Sequence, residues 1–286
     1  MKKIIQILIC LQIGFEIQAQ NMGEGELLFP QMPGMVSYTY RNSFQKDVAL
    51  TLDTLKNLGF VDMEFSSLFG KTAAELKTML DERGMYCSSL GVNYEDFTTK
   101  TAEVATNAKL LGANFVRVAW IPFTAPFTIE VAQKAVNDFN KVGKILKDQY
   151  QLTFCYHNHG YEFYPYRNQT LFDYIIQNTD PKYVNFEIDV LWTVFPGGDP
   201  VQLIRKYGNR FKLMHLKDLR KGVVGDLSGK TSTENDVALG TGQIDIRSIL
   251  IASKKAGIEH YFIEDESSVY NKQVPGSLAF LKSLKH

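Results

Sequence analysis

Leu152-Thr153-Phe154-Cys155-Tyr156-His157-Asn158-His159-Gly160-Tyr161-Glu162-Phe163 places a short apolar run directly before two of the chain's five histidines and a carboxylate. The run reads as a buried strand, so the polar cluster falls at its C-terminal end. Imidazole and carboxylate in that position can hold a metal ion or a sugar hydroxyl. The rest of the chain then reads as a scaffold that brings further ligands to the same place.

Outward from this stretch, strand-like apolar runs alternate with longer segments of helical period. Strands are predicted over 36–40, 61–65, 86–90, 115–120, 152–157, 184–190, 211–216 and 261–264. Helices are predicted over 44–58, 99–111, 129–149, 171–177, 246–256 and 276–284. Two more open at Thr72, where Thr72-Ala73-Ala74-Glu75 spells a capping box, and at Gly197-Gly198-Asp199-Pro200, running toward Tyr207. Eight strands alternating with eight helices is the pattern of an α/β protein folded as a single (β/α)8 TIM barrel. A doubly wound sheet would carry a glycine-rich phosphate loop after its first strand, and Tyr40-Arg41-Asn42-Ser43 is nothing of the kind. No linker or repeat marks a second domain. The one long irregular segment, 219–242, is rich in Gly, Ser, Thr and Asp, as lids and disordered loops are.

The start of the chain reads as a leader. Lys2 and Lys3 precede an apolar run from Ile4 to Phe15, and Ile17-Gln18-Ala19 suits a cleavage site. The run is too short to span a bilayer as a stable helix. The expected organisation is a signal peptide over 1–19, an N-terminal extension over 20–34 and the barrel over 35–286. That implies a periplasmic or secreted protein, of a Gram-negative bacterium, with no stable membrane insertion after cleavage. Behind the leader only Cys87 and Cys155 remain, both mid-strand, and they read as buried thiols.

Thirty-one basic against 31 acidic residues give a formal net charge of zero. Nothing in that balance steers the chain toward nucleic acid or an anionic membrane. Aromatic residues make up 12% of the chain. Tyr40, Trp120 and Trp192 fall near strand ends, where rings pack the barrel mouth or stack on sugar faces.

Barrel sites are built from the C-terminal ends of strands. Strand six ends in Glu187-Ile188-Asp189, strand seven in His215-Leu216-Lys217-Asp218, strand eight in Glu264-Asp265-Glu266, and strand two contributes Glu64. Residues two apart share a face, so Glu187 faces with Asp189, His215 with Lys217, and Glu264 with Glu266. Buried carboxylates without partners are costly, and several converging on one mouth suggest a divalent cation. Three carboxylates and one imidazole favour one Mn, Mg, Co or Zn ion. Glu187 reads as a deeper partner of the ligands. Lys217 reads either as a structural partner of a carboxylate or as a group that stabilises an enolate. Asp218 reads equally as a site carboxylate and as a solvated loop charge. His260, at the start of strand eight, reads as structural.

With these residues in place, the chain resembles the xylose-isomerase-like barrel superfamily, often labelled sugar phosphate isomerase/epimerase. The carriers are YHNHGYEF (156–163), FEIDVLWTVFPGGDP (186–200), MHLKDLRKG (214–222), LGTGQID (239–245) and FIEDES (262–267). The resemblance implies that Asp189, His215 and Glu264 are metal ligands. Its fourth ligand is a glutamate at about the position of His157, so here either Glu162 reaches back or His157 takes the place directly. Many members also carry His where this chain has Trp192, which argues against a second metal.

The implied chemistry is metal-dependent proton abstraction next to a carbonyl, through an enediolate. Glu264, Glu162, His157 and Lys217 are the candidate catalytic groups; His159, Tyr40, Glu64, Trp120, Trp192 and Lys217 are the candidate substrate contacts. The expected protein is an isomerase or epimerase of an unphosphorylated sugar or keto-sugar, since phosphorylated sugars are largely cytoplasmic. A lyase or dehydratase acting on a keto-sugar or keto-glycoside, or a carbohydrate-binding barrel without catalysis, uses the same site. The expected partner is a small carbohydrate, with homo-oligomerisation left open. Metal-assisted hydrolysis of nucleic acid is disfavoured by the neutral charge and by too few histidines for a zinc cluster.

Overall fold

The computed structural model describes residues 25–286. The leader expected over 1–19 and the first residues of the extension, 20–24, lie outside the described residues.

Eight parallel strands close into one barrel: β1 (Gly34–Val36), β2 (Asp62–Phe65), β3 (Tyr86–Val92), β4 (Phe115–Val118), β5 (Thr153–His157), β6 (Val184–Asp189), β7 (Phe211–Leu216) and β8 (His260–Ile263). Their order around the barrel follows the chain, and β1 pairs with β8 to close it. Each strand is followed by helix. The main helices are α1 (Val48–Asn57), α2 (Ala73–Asp81), α3 (Thr101–Leu111), α4 (Ile129–Tyr150), α5 (Leu171–Asn178), α6 (Pro200–Tyr207), α7 (Ile246–Ala256) and α8 (Tyr270–Ser283). The capping box read at Thr72 is present, with Glu75 returning a bond to the Thr72 amide.

Strand alternation sorts the side chains. Val36, Phe115, Cys155, Leu213 and Phe262 form an apolar layer of their own. Cys155 and Cys87 are buried free thiols. The alternate residues Phe154 and Tyr156 pack outward on Phe139 of α4. Gly34 is obligatory at the bottom of β1, because a Cβ there would meet the Phe262 ring at 2.5 Å. Residues 26–28 run beside the C-terminus, where Leu28 N donates to Leu284 O and His286 N to Glu26 O.

Several predicted boundaries move: the helix expected over 44–58 is two, Arg41–Lys46 and Val48–Asn57, and the strand expected over 115–120 ends at Val118. The first strand ends at Val36, and a turn over 37–40 follows instead of continued strand. The last helix begins at Tyr270, six residues before its predicted start, with Pro275 inside it. Burial of Val274, Leu278 and Leu281 on one face outweighs the local breaker signal of Pro275-Gly276. The 219–242 segment is built rather than loose. Asp218–Leu219 pairs antiparallel with Asp236–Val237, and the Asp218 carboxylate accepts from the amides of Leu219, Gly240, Gly242 and Ile244. Asp218 is therefore a buried organiser of the loop, not a solvated charge, and the two glycines of LGTGQID serve its nest. A Cβ on Gly242 would collide with the Asp218 carboxylate.

Candidate active site

The inward positions above the apolar layer are charged. Arg117 on β4 lies between two wholly buried carboxylates, 2.5 Å from Glu64 Oε1 and 3.3 Å from Glu187 Oε2. Each carboxylate in turn carries an imidazole: Glu187 Oε2 lies 2.9 Å from His157 Nδ1, and Glu64 Oε1 lies 2.9 Å from His215 Nε2. A ring nitrogen held this way leaves the other nitrogen to face the mouth. His157 Nε2 is 3.6 Å from Asp189 Oδ2. His215 Nδ1 is 3.8 Å from the same oxygen and 2.9 Å from Glu264 Oε2. Three residues from the ends of β5, β6 and β7, His157, Asp189 and His215, thus converge on one spot, and Glu264, from the segment after β8, adjoins it through His215.

Local structure aims each of them. Asp189 caps the short helix Val190–Val194 with Oδ1, which accepts from Trp192 N, and this turns Oδ2 toward the two histidines. Asn158 joins the β5 and β6 ends: its Oδ1 accepts from Asp189 N, and its Nδ2 donates to Asp189 O and Thr193 Oγ1. Lys217 is wholly buried, with Nζ 2.7 Å from Glu266 Oε1, 3.2 Å from Glu264 Oε2 and 3.5 Å from Asp236 Oδ2.

The electrostatics are those of a cation site. Burial opposes charge on His215, but Glu187, Glu264 and Glu64 outweigh it and hold the ring protonated far above its usual range. Burial also disfavours charge on Glu264, and there Lys217 and His215 prevail and keep it ionised. Burial lifts Asp189 to about 6, pushes His157 well down and takes His159 to about 3. Asp189 Oδ2 is buried without a hydrogen-bond partner, an expensive arrangement for a carboxylate oxygen unless something binds it. Two carboxylates and two backed imidazoles fit a divalent ion of the Mn, Co or Zn type. The deeper trio Glu64, Glu187 and His215 is also close-set, but Arg117 already supplies its positive charge.

Above the cluster opens a cavity of about 910 Å³, lined among others by Tyr38, Trp120, His159, Trp192, Glu264 and Glu266. His159 stacks on Trp192 (4.4 Å, 24°) and meets Trp120 edge-on.

The structure brings together His157, Asp189, His215 and Glu264, with Lys217 beside them and His159, Trp120 and Trp192 in the cavity wall. Three residues named from sequence go elsewhere. Glu162 lies on the helix side of β5, where its carboxylate accepts from Tyr156 OH and from His159 N; the outward direction of Tyr156 takes it away from the cluster. Burial raises Glu162 to about 7. Tyr40 is packed against Tyr270, and Tyr38 lines the cavity instead, because β1 ends early. Glu64 lies in the floor network rather than in the cavity wall. Sequence reading missed Arg117 and Asp236. Arg117 is an arginine at an inward position of a strand, a signal available from alternation alone, whereas Asp236 gives no such signal.

A closed parallel barrel whose C-terminal mouth gathers imidazoles and carboxylates is the class that fold and site define. The chain belongs to the xylose isomerase-like TIM barrel family, whose model matches residues 52–284. An inosose dehydratase of Clostridium tetani (strain Massachusetts / E88) is 36% identical over 98 residues, 34% of this chain and 32% of the relative, so the match spans about a third of that protein's length. The fold is also that of a sugar phosphate isomerase/epimerase from Parabacteroides distasonis ATCC 8503, with a TM-score of 0.70 and 24% identity over 88% of this chain and 93% of the other. The IOLI protein with a bound zinc atom shares it too, with a TM-score of 0.69 and 15% identity over 88% and 95%. Among the described residues no helix is long and apolar enough to cross a membrane.

Proposed function

We propose that the chain is a divalent-metal-dependent enzyme that moves a proton next to the carbonyl of an unphosphorylated sugar or keto-sugar. The observation that carries this reading is the convergence of His157, Asp189 and His215, with the Asp189 oxygen buried and unpartnered and Glu264 Oε2 against His215 Nδ1. His157, Asp189, His215 and Glu264 would hold the ion. Bound there, it supplies Lewis acidity that acidifies the C–H beside a carbonyl. The zinc atom in the IOLI structure supports the same assignment.

The chain's own groups do the rest. Glu264, kept ionised by Lys217 and His215, takes the proton and, once protonated, returns it. His159, held neutral by burial, lines the cavity just past β5 as a hydrogen-bond partner for a substrate hydroxyl. The Lys217 ammonium, wholly buried behind Glu264 and outside the cavity lining, does not touch the substrate, contrary to the expectation from sequence; it acts through Glu264, 3.2 Å away. Trp120 and Trp192 offer faces to a sugar ring. The cavity sets Glu95, Asp236, Glu264 and Glu266 against Arg41, Arg117 and Lys230, with Arg117 already paired to Glu64 and Glu187, so no free cluster of positive charge is there for a phosphate dianion. An exported location, the expectation drawn from the leader, points the same way.

Return of the proton to the neighbouring carbon gives isomerisation, and return to the opposite face gives epimerisation. A second reading, elimination of a β-substituent from the same carbanion, is favoured by the inosose dehydratase relative. Metal analysis of the purified protein followed by solvent-deuterium incorporation tests both. The expected result is bound divalent metal and deuterium in recovered sugar, or an unsaturated product if elimination follows. Metal uptake without any exchange would leave a carbohydrate-binding barrel, and no metal uptake would refute the proposal.

A further inference from the structure

Three carboxylates surround the buried ammonium of Lys217: Glu266 at 2.7 Å, Glu264 at 3.2 Å and Asp236 at 3.5 Å. Glu264 Oε2 also lies 2.9 Å from His215 Nδ1, at the edge of the group His157, Asp189 and His215, where it would complete the hold on a cation. A cation at that spot and the Lys217 ammonium therefore compete for the same oxygen, Glu264 Oε2. Like charges so close within a buried site repel strongly. Something must hold the ammonium back, and two of its neighbours, Glu266 and Asp236, can do so.

Glu266 is two residues beyond Glu264 on the segment after β8. Asp236 comes from elsewhere, from the hairpin in which the long 219–242 connection returns to the barrel mouth. Asp236 is 3% exposed. Its Oδ2 accepts the Glu266 amide at 2.9 Å, so the same oxygen that faces Lys217 also fixes the backbone of its second counter-charge. Gln273 Nε2 donates to the Asp236 carbonyl from α8, and Lys217 extends toward the Trp192 ring, 5.8 Å away. With Asp189 and Glu264 set against a divalent ion, Glu266 and Asp236 remain for Lys217; burial raises the Asp236 carboxyl to about 7, and the Lys217 ammonium beside it works against that.

We propose that Asp236 is a positioning residue of the metal site: its carboxylate draws the Lys217 ammonium off Glu264, leaving Glu264 Oε2 free for a divalent cation. The inference rests on the metal reading above and adds to it a residue on the long loop, so the loop is part of the site's electrostatics as well as its cover. In Asp236→Asn the ammonium settles on Glu264 and Glu266, and the cation must displace it. In Lys217→Met there is no competitor, and Asp236 loses its task.

The test uses the ion alone. Mn²⁺ and Co²⁺ are titrated calorimetrically into the metal-stripped full-length protein and into Asp236→Asn, Lys217→Met and the double variant. Asp236→Asn is expected to weaken binding by about tenfold, a modest outcome for removing one charge near a divalent ion. Lys217→Met is expected to bind at least as tightly as the unaltered protein. In the Lys217→Met background the effect of Asp236→Asn should shrink to within about threefold, the coupling expected of groups that act through one another. Asn retains an acceptor for the Glu266 amide, and unchanged circular-dichroism spectra of the stripped variants check that each is folded, while Lys217→Met is expected to melt lower because it leaves buried carboxylates unpaired. Asp236→Asn binding as tightly as the unaltered protein, or losing the same affinity with Lys217 absent, overturns this inference and leaves the proposed function standing. Failure of the unaltered protein to take up either ion overturns both.

Discussion

Arg117→Met removes the guanidinium that, together with His215, sits between two wholly buried carboxylates. Glu64 Oε1 loses donors at 3.1 Å and 2.5 Å from the guanidinium Nε and Nη2, and Glu187 Oε2 loses its 3.3 Å ion pair. Removing one partner of a buried ion pair costs about 3–5 kcal/mol, because the remaining charge stays buried. Unfolding entropy for a chain of this size is roughly 0.6 kcal/mol per degree, so the melting temperature should fall by about 7 °C at pH 7. The pH dependence gives a second signature. Glu64 has its carboxyl burdened by burial, but Arg117 and His215 hold it down to about 2. A depressed folded value contributes stability that is fully present above the unfolded value, 4.5, and is lost as pH falls toward 2. The variant lacks the Arg117 share of that contribution. The gap between the two proteins should therefore be full at pH 7 and narrow progressively below about pH 4.5. Thermal melts followed by circular dichroism across that range measure it. A variant that melts within 2 °C of the parent at pH 7, or a gap that does not narrow with acid, would refute the view that Arg117 neutralises this floor.

Two further outcomes follow from the same geometry. Glu162 is buried with its carboxyl raised to about 7, so its ionisation costs stability as pH climbs from 4.5 to 7, by roughly 3 kcal/mol in all. Glu162→Gln should flatten that part of the stability–pH curve and leave divalent-metal affinity within about twofold; a large loss of metal affinity would return Glu162 to the cluster. Asp218→Ala leaves four amides without their acceptor, at about 1–3 kcal/mol for each that stays buried. Rapid tryptic cleavage at Arg220, Lys221 or Lys230 is expected, and a cleavage rate equal to the parent's would count against the nest as the brace of this connection.

Much of the site was legible in the chain, for one reason. Strand alternation is local, so Glu187 with Asp189, His215 with Lys217, and Glu264 with Glu266 could each be assigned a shared face before any strand was placed. Closure of a parallel barrel then leaves these faces one place to meet. Glu162 shows the limit of that logic. Its spacing from His157 says nothing about direction, because Gly160, with φ of +94°, turns the chain and the outward Tyr156 captures the carboxylate. Tyr40 failed similarly, when an early turn gave the cavity to Tyr38.

The sequence by itself determined the alternation of strand and helix, the closed barrel and the inward set Asp189, His215 and Glu264, because periodicity and capping are properties of neighbouring residues. Only the tertiary structure decided that His157, not Glu162, completes the cluster, that Arg117 lies beneath it, and that Asp236 enters from a loop some twenty residues past Lys217. Those outcomes are set by which charges meet in a space without water. A buried charge is tolerated only beside its partner, and the partners here lie on different strands and loops.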